Sequence, residues 1–223
     1  MCAELGGDGM IRRMMMQSQI GELPSGYRRV KYLESTGTQY INTNVLSNQY
    51  TGCELLFEYT NLDGSQYAIG SLEPGTSRFC PLFIDIDDVK NGFLYSNTVA
   101  FKVNHYTYDK DANIHLAKFN CDNYGRIVFD DVYCGSVIEL GSSTRNTIYL
   151  FGRNYNGFDM GAYMKMHKCI LYKNGMKVCN FIPALDSSGT PCMYDTVTKQ
   201  AFYNLGTDEF GYEFLDGTYV APT

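Results

Sequence analysis

Tryptophan is absent from this sequence, histidine occurs only three times, and positive charge is scarce. Lys and Arg number 18 against 24 Asp and Glu, a formal balance of −6. That deficit argues against a nucleic-acid partner, because gripping a phosphate backbone works by displacing counterions with surplus Lys and Arg. Long apolar runs are missing too: none approaches the roughly 20 residues that a membrane helix needs, so no membrane span is expected. Near the N-terminus Arg12 and Arg13 precede Met14-Met15-Met16, but Gln17, Ser18 and Gln19 follow at once. An apolar signal core of ~7–15 residues is therefore lacking, and no cleaved secretory signal is expected.

The chemical signatures of common enzymes are also missing. There is no Gly-x-Ser-x-Gly elbow, no Walker loop, no Gly-x-Gly-x-x-Gly and no HExxH pair among His105, His115 and His167. His167 and Cys169 could share a strand face, but two ligands do not close a tetrahedral zinc site. The eight cysteines (Cys2, Cys53, Cys80, Cys121, Cys134, Cys169, Cys179 and Cys192) contain no CxxC. In a chain of this size without a signal they read as reduced structural thiols, with one or two bridges as the alternative. The expectation is a binding protein rather than an enzyme, with no cofactor.

What is present points to strands. The chain carries 19 Tyr and 13 Phe, residue types that suit strands, and 22 Gly, which suit tight turns. Residues 1–22 stand apart. They begin Gly-rich, then 10–20 read as a short helix with mixed faces, serving as either a flexible tail or an anchor for a partner. From Gly26 onward the pattern has period two. Cys53, Leu55, Phe57 and Tyr59 alternate with Glu54, Leu56 and Glu58; Val99, Phe101 and Val103 alternate with Ala100, Lys102 and Asn104; Ile148 and Leu150 alternate with Tyr149 and Phe151. Met164, Met166, Ile170 and Tyr172 are expected to share one face of a longer strand, which ends at the hairpin signal Asn174-Gly175. A last hairpin is expected from Met193-Tyr194-Asp195 and Ala201-Phe202-Tyr203. With no amphipathic helix after residue 22, a sandwich or barrel is expected over 23–223.

Several stretches in order carry a resemblance. Leu23-Pro24-Ser25-Gly26-Tyr27 leads into Tyr32-Leu33-Glu34-Ser35-Thr36-Gly37-Thr38-Gln39-Tyr40-Ile41-Asn42-Thr43. Leu150-Phe151-Gly152-Arg153-Asn154 lies mid-chain, and Asn180-Phe181-Ile182-Pro183-Ala184 and Met193-Tyr194-Asp195-Thr196-Val197 come later. Together they resemble the concanavalin A-like (laminin-G-like) jelly-roll domains common in phages and prophages of gut bacteria. The resemblance implies an all-β, two-sheet antiparallel jelly-roll sandwich with a short N-terminal extension. It also implies a virion- or tail-associated role in binding host-surface glycans, at the virion surface after synthesis in the host cytoplasm. A structural virion decoration protein anchored by its N-terminus, contacting other virion proteins or its own copies, is the alternative. A bacterial extracellular or surface lectin also remains open. The stretch from about 205, through Phe210, Tyr212, Phe214 and Tyr219, runs longer than is usual in such domains. It reads as either an extra edge strand or an assembly contact.

Candidate sites follow from residue chemistry. Asp85 and Asp87 share a strand face, but the spacing lacks the Glu positions of a glucanase pair, so an endoglycanase is the least favoured reading. Asp85, Asp87 and Asp88 are the first candidates for calcium, which many laminin-G-like domains bind, and Asp130-Asp131 the second. The loop-like run Gly152 to Asp159 offers Arg153, Asn154, Tyr155 and Asn156, planar polar groups beside aromatic rings, as a saccharide site suits. The alternative is an ordinary hairpin with Tyr155 and Phe158 folded back onto the sandwich. Tyr106 and Tyr108 form a second candidate patch.

Overall fold

The computed structural model describes residues 23–73, 77–84, 91–94, 106–109, 111–136 and 143–223; at 77–78, 82–84, 91–94 and 106–109 the backbone alone is described. The tail at 1–22, the alternating run at 99–103 and the carboxylates Asp85, Asp87 and Asp88 lie outside the described residues.

Every regular element among the described residues is a strand. In chain order they are β1 (Arg28–Thr36), β2 (Ile41–Leu46), β3 (Thr51–Tyr59), β4 (Gln66–Glu73), β5 (Ser77–Ile84), β6 (Asn91–Leu94), β7 (Tyr106–Asp109), β8 (His115–Phe119), β9 (Arg126–Phe129) and β10 (Val132–Ser136). There follow β11 (Thr147–Leu150), β12 (Arg153–Asn154), β13 (Phe158–Asp159), β14 (Tyr163–Lys173), β15 (Met176–Leu185), β16 (Pro191–Asp195), β17 (Gln200–Tyr203), β18 (Gly211–Phe214) and β19 (Tyr219–Val220). Sheet A runs β10-β9-β8-β3-β14-β1-β15-β16-β17, with β18 on β1 and β19 on β18. Sheet B runs β13-β12-β4-β5-β6-β7, and β11 bridges β2 and β4. Pairing is antiparallel except where β12 lies parallel to β4. The result is an all-β, two-sheet sandwich.

The core forms where the period-two faces meet. Cys53, Leu55, Phe57 and Tyr59 of sheet A face Ile41, Ala68, Ile69, Ile148 and Leu150 of sheet B in one buried cluster. The Phe79 and Phe119 rings, 6.3 Å apart and edge to face, join the layers directly. Outward on β3, Glu54 and Glu58 pair with Lys168 and Lys165 at 3.4 and 2.9 Å, so the polar positions of the alternation form cross-strand ion pairs.

The expected face of β14 is corrected. Met166 opposes Phe57 while Lys168 opposes Leu56, leaving His167 as a bulge residue. One extra residue reverses the parity of everything beyond it. Met164, Met166, Cys169 and Leu171 therefore face the core, whereas Ile170 and Tyr172 turn to the opposite side. His167 and Cys169 likewise part: Cys169 enters the core and the His167 ring packs against Tyr32, 5.4 Å away.

Both late hairpins form as expected. Lys173 pairs with Met176 around Asn174 (φ 52°) and Gly175 (φ 72°), the two-residue turn that needs positive φ twice. Asp130 (φ 47°) and Asp131 (φ 64°) play the same part between β9 and β10. Their carboxylates are already used there. Asp130 accepts from the Leu116 amide at 2.8 Å and faces His115 Nδ1 at 2.7 Å, and Asp131 faces Lys118 Nζ at 3.3 Å.

The opening Leu23-Pro24-Ser25-Gly26-Tyr27 stretch has a packing role. Leu23 and Tyr27 cover a second small core of Ile182, Ala184, Cys192 and Tyr194 on the outer side of β15 and β16. The segment after 205 is an extra strand pair within the sandwich. β18 pairs with β1, Phe210 is buried against Phe151 at 4.7 Å, and Leu205 N–H bonds Tyr40 O at 2.9 Å.

Candidate functional site

The mid-chain stretch 150–154 builds a hook on sheet B. Leu150 ends β11 inside the core, and the chain then reverses at Phe151, whose φ is 63°. A bulky residue in the left-handed region is strained, and it persists only when its surroundings over-determine it. Here they do: the ring is fully buried against Phe210, the amide donates to Ala68 O at 2.9 Å, and the carbonyl accepts from Ala162 N at 2.9 Å. Gly152 follows because any Cβ would stand 2.5 Å from the Phe158 ring. After this reversal Arg153 runs parallel beside Gly70, which also pairs with Tyr149.

Arg153 is held on every side. Its stem crosses the space left by Gly70, where a Cβ would sit 3.5 Å from Arg153 Cγ and 2.8 Å from Cys80 Sγ. The guanidinium lies 4.3 Å from the Tyr67 ring centroid and 5.6 Å from that of Tyr155, pairs with Asp159, and approaches Met160 Sδ at 3.6 Å. Only 12 % of the side chain is exposed. Asn154 braces the hairpin from within: Nδ2 donates to Thr147 O at 3.0 Å and Oδ1 accepts from Gly157 N at 3.1 Å. The tip is Tyr155-Asn156-Gly157, closed by Tyr155 N–H to Gly157 O at 2.8 Å, with Asn156 at φ 57°.

Beside the hook lies an aromatic band. Phe158 stacks on Tyr40 with centroids 4.4 Å apart and planes 12° from parallel; Tyr149 also stacks on Tyr40, at 4.9 Å and 26°. Tyr149 points outward because Ile148 and Leu150 point inward. Burial, and then the neighbouring Tyr40, push the Tyr149 phenol above its usual range. The Tyr40 amide donates to Asn204 Oδ1 at 3.2 Å, so the C-terminal segment fixes the middle of the stack. Exposed Tyr155 and Met160 flank the Arg153 guanidinium on the same hairpin.

Of the expected site residues, the structure brings Arg153, Asn154, Tyr155 and Asn156 together but gives them different tasks. Arg153 and Asn154 are occupied by the hairpin itself. Tyr155, 43 % exposed, and Asn156 remain presented at the tip, with Asn156 Oδ1 accepting from Asn146 Nδ2 at 3.3 Å. Phe158 folds back onto the sandwich, whereas Tyr155 does not. Tyr106 and Tyr108 belong to β7, which is separated from β12 by β4, β5 and β6, about 19 Å across the sheet. The two candidate patches are therefore not one site. Tyr40, Tyr67 and Tyr149 were not singled out by sequence. The outward position of Tyr149 in the Ile148-Tyr149-Leu150 alternation was the available signal.

Elsewhere the reactive groups are occupied or masked. His115 Nδ1 and Nε2 face Asp130 at 2.7 Å and Asp111 at 2.8 Å, which leaves no ring nitrogen for a metal. Among the described residues no three His, Cys, Asp or Glu side chains form a metal-binding group. The seven described cysteines are unbridged. Burial pushes the Cys121, Cys179 and Cys192 thiols up to about 12, and raises Cys53 and Cys169 as well, so these sulfurs stay protonated and weakly nucleophilic. No helix among the described residues is long and apolar enough to cross a membrane.

Fold and site thus define an all-β sandwich with an aromatic surface built around one strained hook. No family model matches the chain, and no curated protein matches it.

Proposed function

We propose that the domain is a non-enzymatic glycan-binding module, with a concanavalin A-like jelly-roll connectivity, carried by a phage virion or tail to recognise host-surface saccharides. The observation that carries this reading is the Tyr149-Tyr40-Phe158 band, with Tyr155 exposed at the tip of the hairpin that supplies Phe158. A sugar ring has apolar C–H faces and a rim of hydroxyls. Rigid aromatic side chains cover the former at low entropic cost, and phenol and amide groups meet the latter. Arg153, Asp159 and Asn154 serve this surface by fixing it before any ligand arrives, which lowers the ordering cost of binding. The phage setting is supported by the sequence resemblance.

The test is a glycan array probed with the full chain and with Tyr155→Ala. The reading expects binding to one class of bacterial surface saccharide, weakened about tenfold in the variant (about 1.4 kcal/mol), with thermal stability unchanged. Prolonged incubation should release no new reducing ends. Absence of binding to any host-surface saccharide would refute the glycan reading, and product release would refute the non-enzymatic one.

A further inference from the structure

We infer that the pole of the sandwich opposite the hook docks an acidic, apolar segment of a partner protein. Three turns meet there: 48–51 before β3, 120–125 between β8 and β9, and Asn174-Gly175 between β14 and β15. They are in direct contact. The Asn174 amide donates to Tyr50 O at 3.1 Å, Asn120 Nδ2 donates to Thr51 O at 3.3 Å, and a Cβ on Gly175 would stand 3.4 Å from the Asp122 carbonyl carbon. Two of the turns are also braced from within. The Tyr50 amide donates to Asn48 Oδ1 at 2.9 Å, the Tyr124 amide to Asp122 Oδ1 at 3.1 Å, and the Gly125 amide to Asn120 Oδ1 at 2.8 Å.

On this braced base Tyr124 is 77 % exposed, Met176 66 % and Tyr50 40 %. Single exposed apolar side chains are ordinary, but three on interlocked turns form a patch of the kind that marks a protein contact. Tyr and Met are enriched at such contacts, and side chains on turns already fixed lose little freedom on binding. Lys173 and Lys177 flank Met176, and Lys177 is exposed. Asp122 is the one carboxylate within the three turns, and it is paired with Arg126. The lysines therefore set the sign of the complement: carboxylates, beside apolar side chains that cover the two rings and the thioether. Two lysines contribute only about 2 kcal/mol at an anionic lipid surface, too little for stable attachment, so a protein segment is favoured over a membrane. The site is separate from the saccharide surface. β14 begins at Tyr163, just beyond Met160 of the hook, and runs about 33 Å to the Asn174-Gly175 turn, so both ends can be occupied together.

The experiment displays a random peptide library on yeast and selects it against the full chain. The expected result is enrichment of peptides that carry Asp or Glu beside aromatic or aliphatic residues. A synthetic copy of one such peptide should bind the wild-type chain more weakly as salt rises, and about tenfold more weakly to Tyr124→Ser or Lys177→Glu, with Tyr155→Ala unaffected. No enrichment, enrichment of peptides without acidic residues, or indifference to either variant at the pole would overturn the inference. So would Tyr124-dependent sedimentation of the chain with phosphatidylglycerol vesicles, which would assign the pole to a lipid surface. Each of these results leaves the glycan reading standing, because that reading rests on the hook and is tested there by Tyr155→Ala.

Discussion

The guanidinium of Arg153 lies over the ring of Tyr67, 4.3 Å from its centroid, while Asp159 closes on it from across the β12–β13 hairpin. An Arg in a surface loop was expected to reach for ligand; this one ties the loop to sheet B. Arg153→Met should therefore destabilise the domain by about 1–2 kcal/mol, combining a lost cation–π contact with a partly buried carboxylate left alone. Chemical denaturation measures it. Unchanged stability with abolished binding would make Arg153 a contact residue instead.

Gly152 sets the position of the aromatic band. Because a Cβ there would stand 2.5 Å from the Phe158 ring, Gly152→Ala is expected to push Phe158 off Tyr40. The folded domain should survive with altered near-ultraviolet circular dichroism and with glycan affinity lowered about as far as by Tyr155→Ala. Phe151→Ala acts differently. It empties a fully buried ring site and keeps the strained backbone, costing about 3–5 kcal/mol.

The bulge at His167 gives a sharp contrast between deletion and insertion. His167→Ala removes an edge-to-face contact with Tyr32 and should cost about 1 kcal/mol. Deleting residue 167 removes the bulge and places Lys168 directly after Met166, still opposite Leu56, so Cys169 and Leu171 keep facing the core and cooperative thermal unfolding should persist. One residue inserted after Lys168 instead turns Cys169 and Leu171 outward, which a strand in the middle of sheet A cannot absorb, so the insertion is expected to abolish cooperative unfolding.

Asp186 makes stability depend on acid. The Ser188 hydroxyl and the Thr190 amide hold its carboxyl down at about 2, against an ordinary value of 3.8. A carboxyl whose folded value lies below its unfolded one stabilises above the unfolded value and loses that contribution as pH falls toward the folded one. The melting temperature of the native chain should therefore exceed that of Asp186→Asn above pH 4, with the gap closing as pH approaches 2. A gap that persists at pH 2 would mean that the lost contribution is not the carboxylate charge.

Much of the sandwich was legible because period two is a direct readout of which face is buried. β3, β11 and the Asn174-Gly175 hairpin were all readable in this way. The far half of β14 was not, since a bulge is one residue of backbone geometry that leaves no mark on composition. The site was half legible. A loop rich in Arg, Asn and Tyr could be seen, but not that Arg153 pairs with Asp159 and that Asn154 bonds Thr147 and Gly157. Tyr40, Tyr67 and Tyr149 lie 27 or more positions apart in sequence, and only the pairing of β2, β4 and β11 brings their strands together.

The most direct test is to map, by backbone and side-chain NMR, where a bound host-surface oligosaccharide perturbs the isotopically labelled full chain. Perturbations confined to Tyr40, Tyr67, Tyr149 and the hairpin from Arg153 to Asp159 are the expected result. Perturbations centred on the ion-paired outer face of sheet A around Glu58 and Lys165, with the hairpin silent, would contradict the assignment of the glycan site.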